Sequence, residues 1–438
     1  MARFAAPIVL IFVGMQAMGV VDTLVVGRLG GAAIAAVALG NLYFFNVSVF
    51  GIGLLLAIDP IVAQAMGADA PLDAARAVQR GLLVALGLSV LVTLVLMPGE
   101  FVLRTLGQPS DVVRDTALYM RRRAIGVLPF FAFAVLRQTL QAMRRVAPVL
   151  IAVLVANLVN LGVNWLLVFG NWGAPKLGVA GSGYATAIAM WVMAVLTLVI
   201  AWPALRTVLR PWHPEATAWV PLRRTLRIGA PIGTQFFFES FAFGLTTLFM
   251  GWLGTATLAG HEIALNMASL TFMVPLGISG AATAVVGRAI GRGDMVAARR
   301  DAIAAIVCGT GFMCVSAVVF LAAPLWLATI YTREAATVAV AVTLIPLAGM
   351  FQVFDGLQAV TGGVLRGTGD TRVPAILHLV AFWGIGIPLG VYLGFFTALR
   401  ERGLWIGLVA GLAAAAVLQS ARVVSRLRTS VTRLVVEQ

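Results

Sequence analysis

The sequence predicts an all-α polytopic membrane protein of twelve transmembrane helices arranged as two parallel six-helix repeats. Three observations predict it. Hydrophobic residues make up 61% of the 438 and charged residues only 11%, less than half of the ~25% usual in soluble domains. Apolar runs of about 20 residues, the length that crosses a bilayer, recur along the whole chain. Short sequence matches recur at one offset, 224 residues. A soluble chain this apolar would expose surface it could not cover, which excludes cytosolic enzymes, nucleic-acid binders and disordered tails.

The runs fall at 4–26, 34–67, 81–103, 117–142, 147–169, 178–203, 227–252, 257–290, 302–323, 335–362, 373–398 and 404–424. The second, eighth and tenth are long enough to tilt or to outrun the hydrocarbon. The first is read as a retained helix: it is too long for a signal h-region, holds Gln16 and Asp22, and lacks an A-x-A cleavage site. Basic residues orient the chain. Arg76, Arg80, Arg137, Arg144, Arg145, Arg223, Arg224, Arg288, Arg299, Arg366, Arg372 and the tail arginines fall on the side of the termini, so both termini are expected in the cytoplasm. The misfit is Arg104, Arg114 and Arg121 to Arg123 on the outer side. The setting expected is a bacterial inner membrane. Cys308 and Cys314, within one apolar run, read as packing residues.

The repeat shows in three pairs of motifs. Ala6-Pro7 matches Ala230-Pro231, Leu29-Gly30 matches Leu253-Gly254, and Val62-x-x-Ala65-x-Gly67 matches Val286-x-x-Ala289-x-Gly291. Pro148 and Pro374 open the fifth and eleventh runs. Six spans per half give both halves one topology, and parallel repeats place a site at or near their interface. The division expected is an N-terminal lobe at 1–203, a cytoplasmic linker at 204–226 with three prolines, and a C-terminal lobe at 227–438. Two such lobes suggest alternating access.

Acids inside the spans are functional candidates, because a charge at bilayer depth costs a few kcal/mol. Four lie well inside: Asp22, Glu239, Glu262 and Asp355, with Asp59 a weaker fifth beside Pro60. Helical spacing gives each its face. Gln235 and Glu239 share one in the seventh span. Gln352, Asp355 and Gln358 share one in the tenth, and Glu262, Asn266 and Ser269 one in the eighth. Asn157, Asn160 and Asn164 line the fifth without an acid. Polar stripes cannot face lipid, so they face protein or water. No arginine lies deep enough in sequence to neutralise Glu239 or Asp355. Desolvation and a neighbouring carboxylate both disfavour charge, so these groups hold a proton or a cation; carboxylate and amide oxygens suit hard cations. His213 and His378 are near no acid in sequence, and His261 reads as a packing residue. Tyr43 to Phe45, Phe236 to Phe238, Met267 and Met273 are candidate contacts for a bulky cation.

Met18-Gly19-Val20-Val21-Asp22-Thr23 followed by Gly27-Arg28-Leu29-Gly30 resembles the opening of multidrug and toxic compound extrusion (MATE) transporters of the NorM-like branch. Val62-Ala63-Gln64, Asn160 to Trp165, Gly260-His261 through Asn266, and Leu365-Arg366-Gly367 after Asp355 fit the same family, in family order over about residues 3–425. The resemblance implies a V-shaped two-lobe antiporter that expels organic cations in exchange for Na⁺ or H⁺. On it, Asp22 is the acid of the N-terminal lobe, with Asn160 and Asn164 as its polar pair. Glu239 and Asp355 are the coupling-cation ligands of the C-terminal lobe, and the metal ligands if the ion is Na⁺. The substrate cavity is expected to take Asp22, Asn157, Asn160, Asn164, Gln235, Phe238, Glu262, Asn266, Gln352 and Gln358. Two positions depart from the family: Phe351 stands where some relatives have Tyr, and Glu262 where Gln is usual.

Gly367-x-Gly369-Asp370 and Arg292-Gly293-Asp294 read as turns, and Gly403, Gly407 and Gly411 as a packing stripe. No phosphate-cradling loop is present. The chain is thus expected not to be an enzyme and to need no cofactor beyond the coupling ion. Its partners are expected to be small organic cations and the lipid bilayer, not nucleic acid, and it is expected to act as a monomer. The alternatives are a lipid-linked precursor flippase of the same superfamily, which would need a basic cavity, and a membrane-embedded enzyme, which would need acids gathered at one surface.

Overall fold

The computed structural model describes residues 1–105 and 107–436; residues 437 and 438, at the end of the C-terminal division, lie outside the described residues. Among the described residues, twelve helices are long and apolar enough to cross a membrane. They are α1 (Ala2–Leu29), α2 (Gly31–Gly67), α3 (Pro71–Leu96), α4 (Val112–Ala142), α5 (Ala147–Phe169) and α6 (Val179–Ile200). The second half holds α7 (Trp219–Leu253), α8 (Thr255–Gly291), α9 (Met295–Ala322), α10 (Ala335–Gly367), α11 (Arg372–Phe395) and α12 (Arg400–Arg428). No strand occurs among the described residues. The third span starts at Pro71, ten residues before the apolar run, because the helical turns led by Pro71 continue through Arg76 and a fully buried Arg80. The outward-facing side chains include Leu24, Leu158, Ile303 and Val315, all more than half exposed. This is the surface that lipid covers and that made the composition so apolar.

The turn from α1 to α2 and the turn from α7 to α8 use the same device. Gly30 (φ 116°) and Gly254 (φ 136°) each cap the following helix in a conformation that a side chain would strain. Their positions are 224 apart, as the motif pairs require.

The chain forms two compact units. One comprises Leu10–Gly233 together with Val436, the other Met1–Val9 and Thr234–Val435. The sequence divides at 203 and 226, in the polar connection; the compact units change over later, inside helices. The handover points, after Val9 in α1 and after Gly233 in α7, are again 224 residues apart. Each follows an intrahelical proline, Pro7 or Pro231, where a missing N–H and ring crowding bend a helix. The residues 204–226 fold with the first unit. Gln79 of α3 donates to Val208 O (3.1 Å) and Pro211 O (2.9 Å) and accepts from His213 N (2.9 Å).

Within each unit, small residues let backbones approach, the usual source of helix packing in lipid. In the first unit, a Cβ on Gly53 would meet Gly233 Cα at 2.6 Å. In the second, one on Gly277 would meet Val9 Cα at 2.8 Å, and these four positions again pair at the repeat offset. Gly403, Gly407 and Gly411 bring α12 against the backbone of α11 at Leu393, Gly390 and Gly386. Polar side chains add bonds between α8 and α10: Ser279 donates to Ala359 O (2.5 Å) and Thr283 to Gly363 O (2.9 Å).

Candidate functional site

The first unit gathers its polar side chains around Asp22. This residue is 1% exposed. Asn160 Nδ2 (3.0 Å) and Asn164 Nδ2 (2.7 Å) donate to its Oδ1, and Thr186 Oγ1 (2.7 Å) to its Oδ2. The pairing follows from local structure. Asn160 and Asn164 lie one turn apart on α5, and Asn164 Nδ2 also donates to Asn160 O (3.0 Å); Thr186 comes from α6. The Oδ1 atoms of both asparagines are buried with no hydrogen-bond partner among the described residues. An amide can present either end. With both turned, the oxygens of Asp22, Asn160, Asn164 and Thr186 would converge, a donor set suited to a hard cation.

Behind Asp22 lies a second layer that sequence spacing did not connect to it. Tyr119 of α4, fully buried, donates to Asn41 Oδ1 (2.9 Å). Arg123, one turn on, donates to Tyr119 Oη (2.9 Å) and to Asn41 Oδ1. Its guanidinium lies 4.0 Å from the centre of the Phe44 ring, and its charge reaches Asp22. Four of the five outer-side arginines, all but Arg114, thus have partners. Arg123 turns inward, Arg122 lies over Tyr184 (5.2 Å), and Arg121 joins Arg104 on Glu100 (3.4 and 2.9 Å).

The second unit holds Glu239 and Asp355. The two lie within electrostatic reach of each other. Glu239 keeps 14% of its side chain exposed, while Asp355 is buried. Two partners of Glu239 escape a linear reading. His378 of α11 places Nε2 3.5 Å from Glu239 Oε2, although no acid is near it in sequence. Arg366, at the end of α10, acts on Glu239 electrostatically while donating to Ser279 Oγ (2.8 Å). The expectation that no arginine bears on Glu239 is corrected here: the charge of Arg366 reaches it from the end of α10, while His378 of α11 brings an imidazole rather than a permanent cation. Gln358 Nε2 lies 3.1 Å from His378 Nδ1, and Phe382 stacks on the imidazole at 4.5 Å. Phe382 stands in a π-helical stretch of α11, Val380–Gly386, the kind of local widening that often marks functional positions. Phe351, buried, packs edge-on to Phe243 and Trp405 and offers no oxygen.

The remaining candidates divide. Gln358 joins the Glu239 group. Gln235 is buried a turn before Glu239, and Phe238 packs against Trp383 (5.8 Å). Gln352 is committed elsewhere: its Oε1 accepts from Thr271 and Ser316, each at 2.7 Å. Asn157 bonds α5 to α1 through Gly14 O (2.9 Å) rather than touching Asp22. Glu262 and Asn266 are exposed on α8, and Asn266 accepts from Tyr331 (2.9 Å). Asp59 is structural: Gln141 Nε2 donates to it at 2.5 Å, within the field of buried Arg137. His261 is buried against Thr247 (3.0 Å) and Trp405, a packing role. Thr186 and His378 were missed. The signal available for Thr186 was the Ser182/Thr186 pair, one turn apart in an apolar span; His378 left none.

Comparison with known proteins agrees with this architecture. The MatE family profile matches residues 7–166 and again 231–392, two matches whose starts are the repeat offset apart. The chain is 38% identical to the probable multidrug resistance protein NorM of Mesorhizobium japonicum, over 94% of this chain and 91% of the relative. It is 33% identical to the multidrug resistance protein MdtK of Edwardsiella ictaluri, over 96% and 93%. Among solved structures, the eukaryotic MATE transporter AtDTX14 superposes with a TM-score of 0.88 at 21% identity, covering 97% of this chain and 94% of that one.

Proposed function

Since the chain belongs to the MatE family of MATE transporters, and so is no enzyme, we propose that it is a secondary-active multidrug antiporter. It exports small organic cations in exchange for Na⁺ or H⁺ by alternating access. The observation that carries this is that each compact unit holds its own buried acid site, Asp22 in one and Glu239 with Asp355 in the other. An acid inside a membrane span is a functional candidate by default, and sites that bind either a small ion or a cationic guest make the two compete. Competition is what an exchanger needs, because a ligand shifts an equilibrium only by its differential affinity for the two states.

In this reading Asp22 is the ion acceptor of the first unit, and Asn160, Asn164 and Thr186 fix its carboxylate. Glu239 and Asp355 hold the coupling ion of the second. Gln235, Phe238, Glu262, Asn266 and Gln358 contribute to substrate contact, and Asn157 and Gln352 support the helices behind them. The distribution of arginines supports both termini in the cytoplasm of a bacterial inner membrane. Acidic rather than basic intramembrane sites count against a carrier of lipid-linked pyrophosphates. The test is dye efflux from cells at matched membrane levels. Glu239→Gln and Asp355→Asn are expected to reach the membrane and lose ion-driven efflux; normal efflux in both would remove the second site from the mechanism.

A further inference from the structure

Resting on the reading of Asp22 as a guest-binding acid, we infer that Arg123 sets the charge of the substrate: it holds the first unit to organic guests with a single positive charge and turns away doubly charged ones. Arg123 is itself held as a cationic guest would be. Its guanidinium lies 4.0 Å from the centre of the Phe44 ring and 5.8 Å from that of Tyr119, and aromatic faces attract cations. Phe44 is buried and braced edge-on by Phe130 at 5.3 Å. The polar end of the holder has one arrangement. A guanidinium has no acceptor, so the Asn41 amide presents its oxygen to Arg123. The Tyr119 hydroxyl accepts from Arg123 (2.9 Å) and gives its own proton to the same amide oxygen (2.9 Å). Gly40 makes room for Tyr119: a Cβ there would meet the ring at 2.6 Å.

Nothing in this holder neutralises the guanidinium. Arg104 and Arg121 share Glu100, but Arg123 makes no ion pair among the described residues, and the acid its charge reaches is Asp22. An arginine side chain stays protonated in proteins, so this charge is permanent. Arg123 does not touch Asp22, whose oxygens are taken by Asn160, Asn164 and Thr186. A single positive charge seated at Asp22 therefore gains more from the adjacent acid than it loses to the guanidinium set back from it. A second charge on the same guest has no acid left to meet. Asp59, the other buried acid of this unit, is held by Gln141 in the field of Arg137. The second charge is still repelled by Arg123, because repulsion by a fixed charge grows with the charge of the guest.

The experiment is transport of ethidium, a monovalent cation, and of propidium, the same ring system with a second positive charge, by the full-length protein in proteoliposomes under one fixed set of ion gradients. The readout is the ratio of kcat/KM for propidium to that for ethidium, which a residue that merely braced α4 would leave unchanged. The wild type is expected to favour ethidium. In Arg123→Gln the ratio is expected to rise about tenfold, the scale of removing one unit charge about 12 Å from the second guest charge at an effective dielectric of about 20. Arg123→Lys keeps the charge without the planar fork and is expected to keep the wild-type preference. Asn41→Asp sets a carboxylate against the guanidinium and is expected to raise the ratio as Arg123→Gln does; it decides the case if Arg123→Gln fails to fold. An unchanged ratio in folded Arg123→Gln or in Asn41→Asp overturns the assignment, as does a wild type that favours propidium. Wild-type ethidium transport in Asp22→Asn would instead overturn the reading of Asp22, and the assignment with it.

Discussion

Replacing Asp22 separates the charge of the first site from its shape. In Asp22→Asn the new side chain keeps Oδ1 to accept from Asn160 and Asn164. Its Nδ2 can donate to the Thr186 oxygen, whose own proton already has Ser182 O as an acceptor at 3.0 Å. The lost contribution is the charge assistance of the bonds, on the order of 1 to 3 kcal/mol in total once the relief of a buried charge is set against it. Asp22→Ala removes the acceptor itself. Thr186 falls back on Ser182 O, and Asn164 on Asn160 O at 3.0 Å, but the Asn160 amide is stranded in a buried position. One stranded amide costs about 1–3 kcal/mol, so Ala is expected to melt roughly 2–10 °C below Asn. The assays are thermal unfolding in detergent and ion-driven dye efflux at matched protein. Both variants should be reduced to background transport, with only Ala clearly unstable. Normal transport in Asp22→Asn would refute the ion-acceptor role, and equal melting of the two variants would refute the hydrogen-bonded cage.

Other outcomes follow from the packing. Gly277→Val and Gly53→Val each place carbon against a neighbouring backbone at 2.8 Å or less, and an overpacking cost of about 1–3 kcal/mol should appear as a lower melting temperature and lower membrane yield. Gln79→Ala removes three hydrogen bonds that hold the connection around Val208 to His213; at about 1 kcal/mol each, limited proteolysis should cut that connection several-fold faster. Trp405→Ala empties a fully buried site in the second unit, and about 3–5 kcal/mol of destabilisation is expected in thermal unfolding.

The spans, the repeat and the acids were legible because each depends on properties local in the chain. Apolar length marks a helix in lipid, a fixed offset marks duplication, and an acid in an apolar run is conspicuous wherever its partners lie. Asn160 and Asn164 were legible for the same reason, since helical spacing alone puts them on one face. Which faces meet is a property of packing. His378 stands in the opening turns of α11, and its approach to Glu239 depends on how α7 and α11 pack. Arg123 read as an outer-loop charge because the Arg121 to Arg123 run is uniform in sequence; only the helical phase set by Tyr119, one turn back, turns the third arginine inward. Gln352 shows the converse. Spacing put it beside Asp355, but Thr271 and Ser316 from two other helices claim its oxygen.

The central claim is that ion and organic cation compete for the buried acids, and the most direct measurement counts ions released when the guest binds. Purified protein in weakly buffered solution would be titrated with a fluorescent dye cation while an indicator reports protons and a Na⁺-selective electrode reports sodium. The account predicts that dye binding displaces protons or Na⁺ from the wild type, and that the displacement shrinks in Asp22→Asn and in Glu239→Gln. Tight dye binding with no ion released, unchanged in both variants, would contradict it.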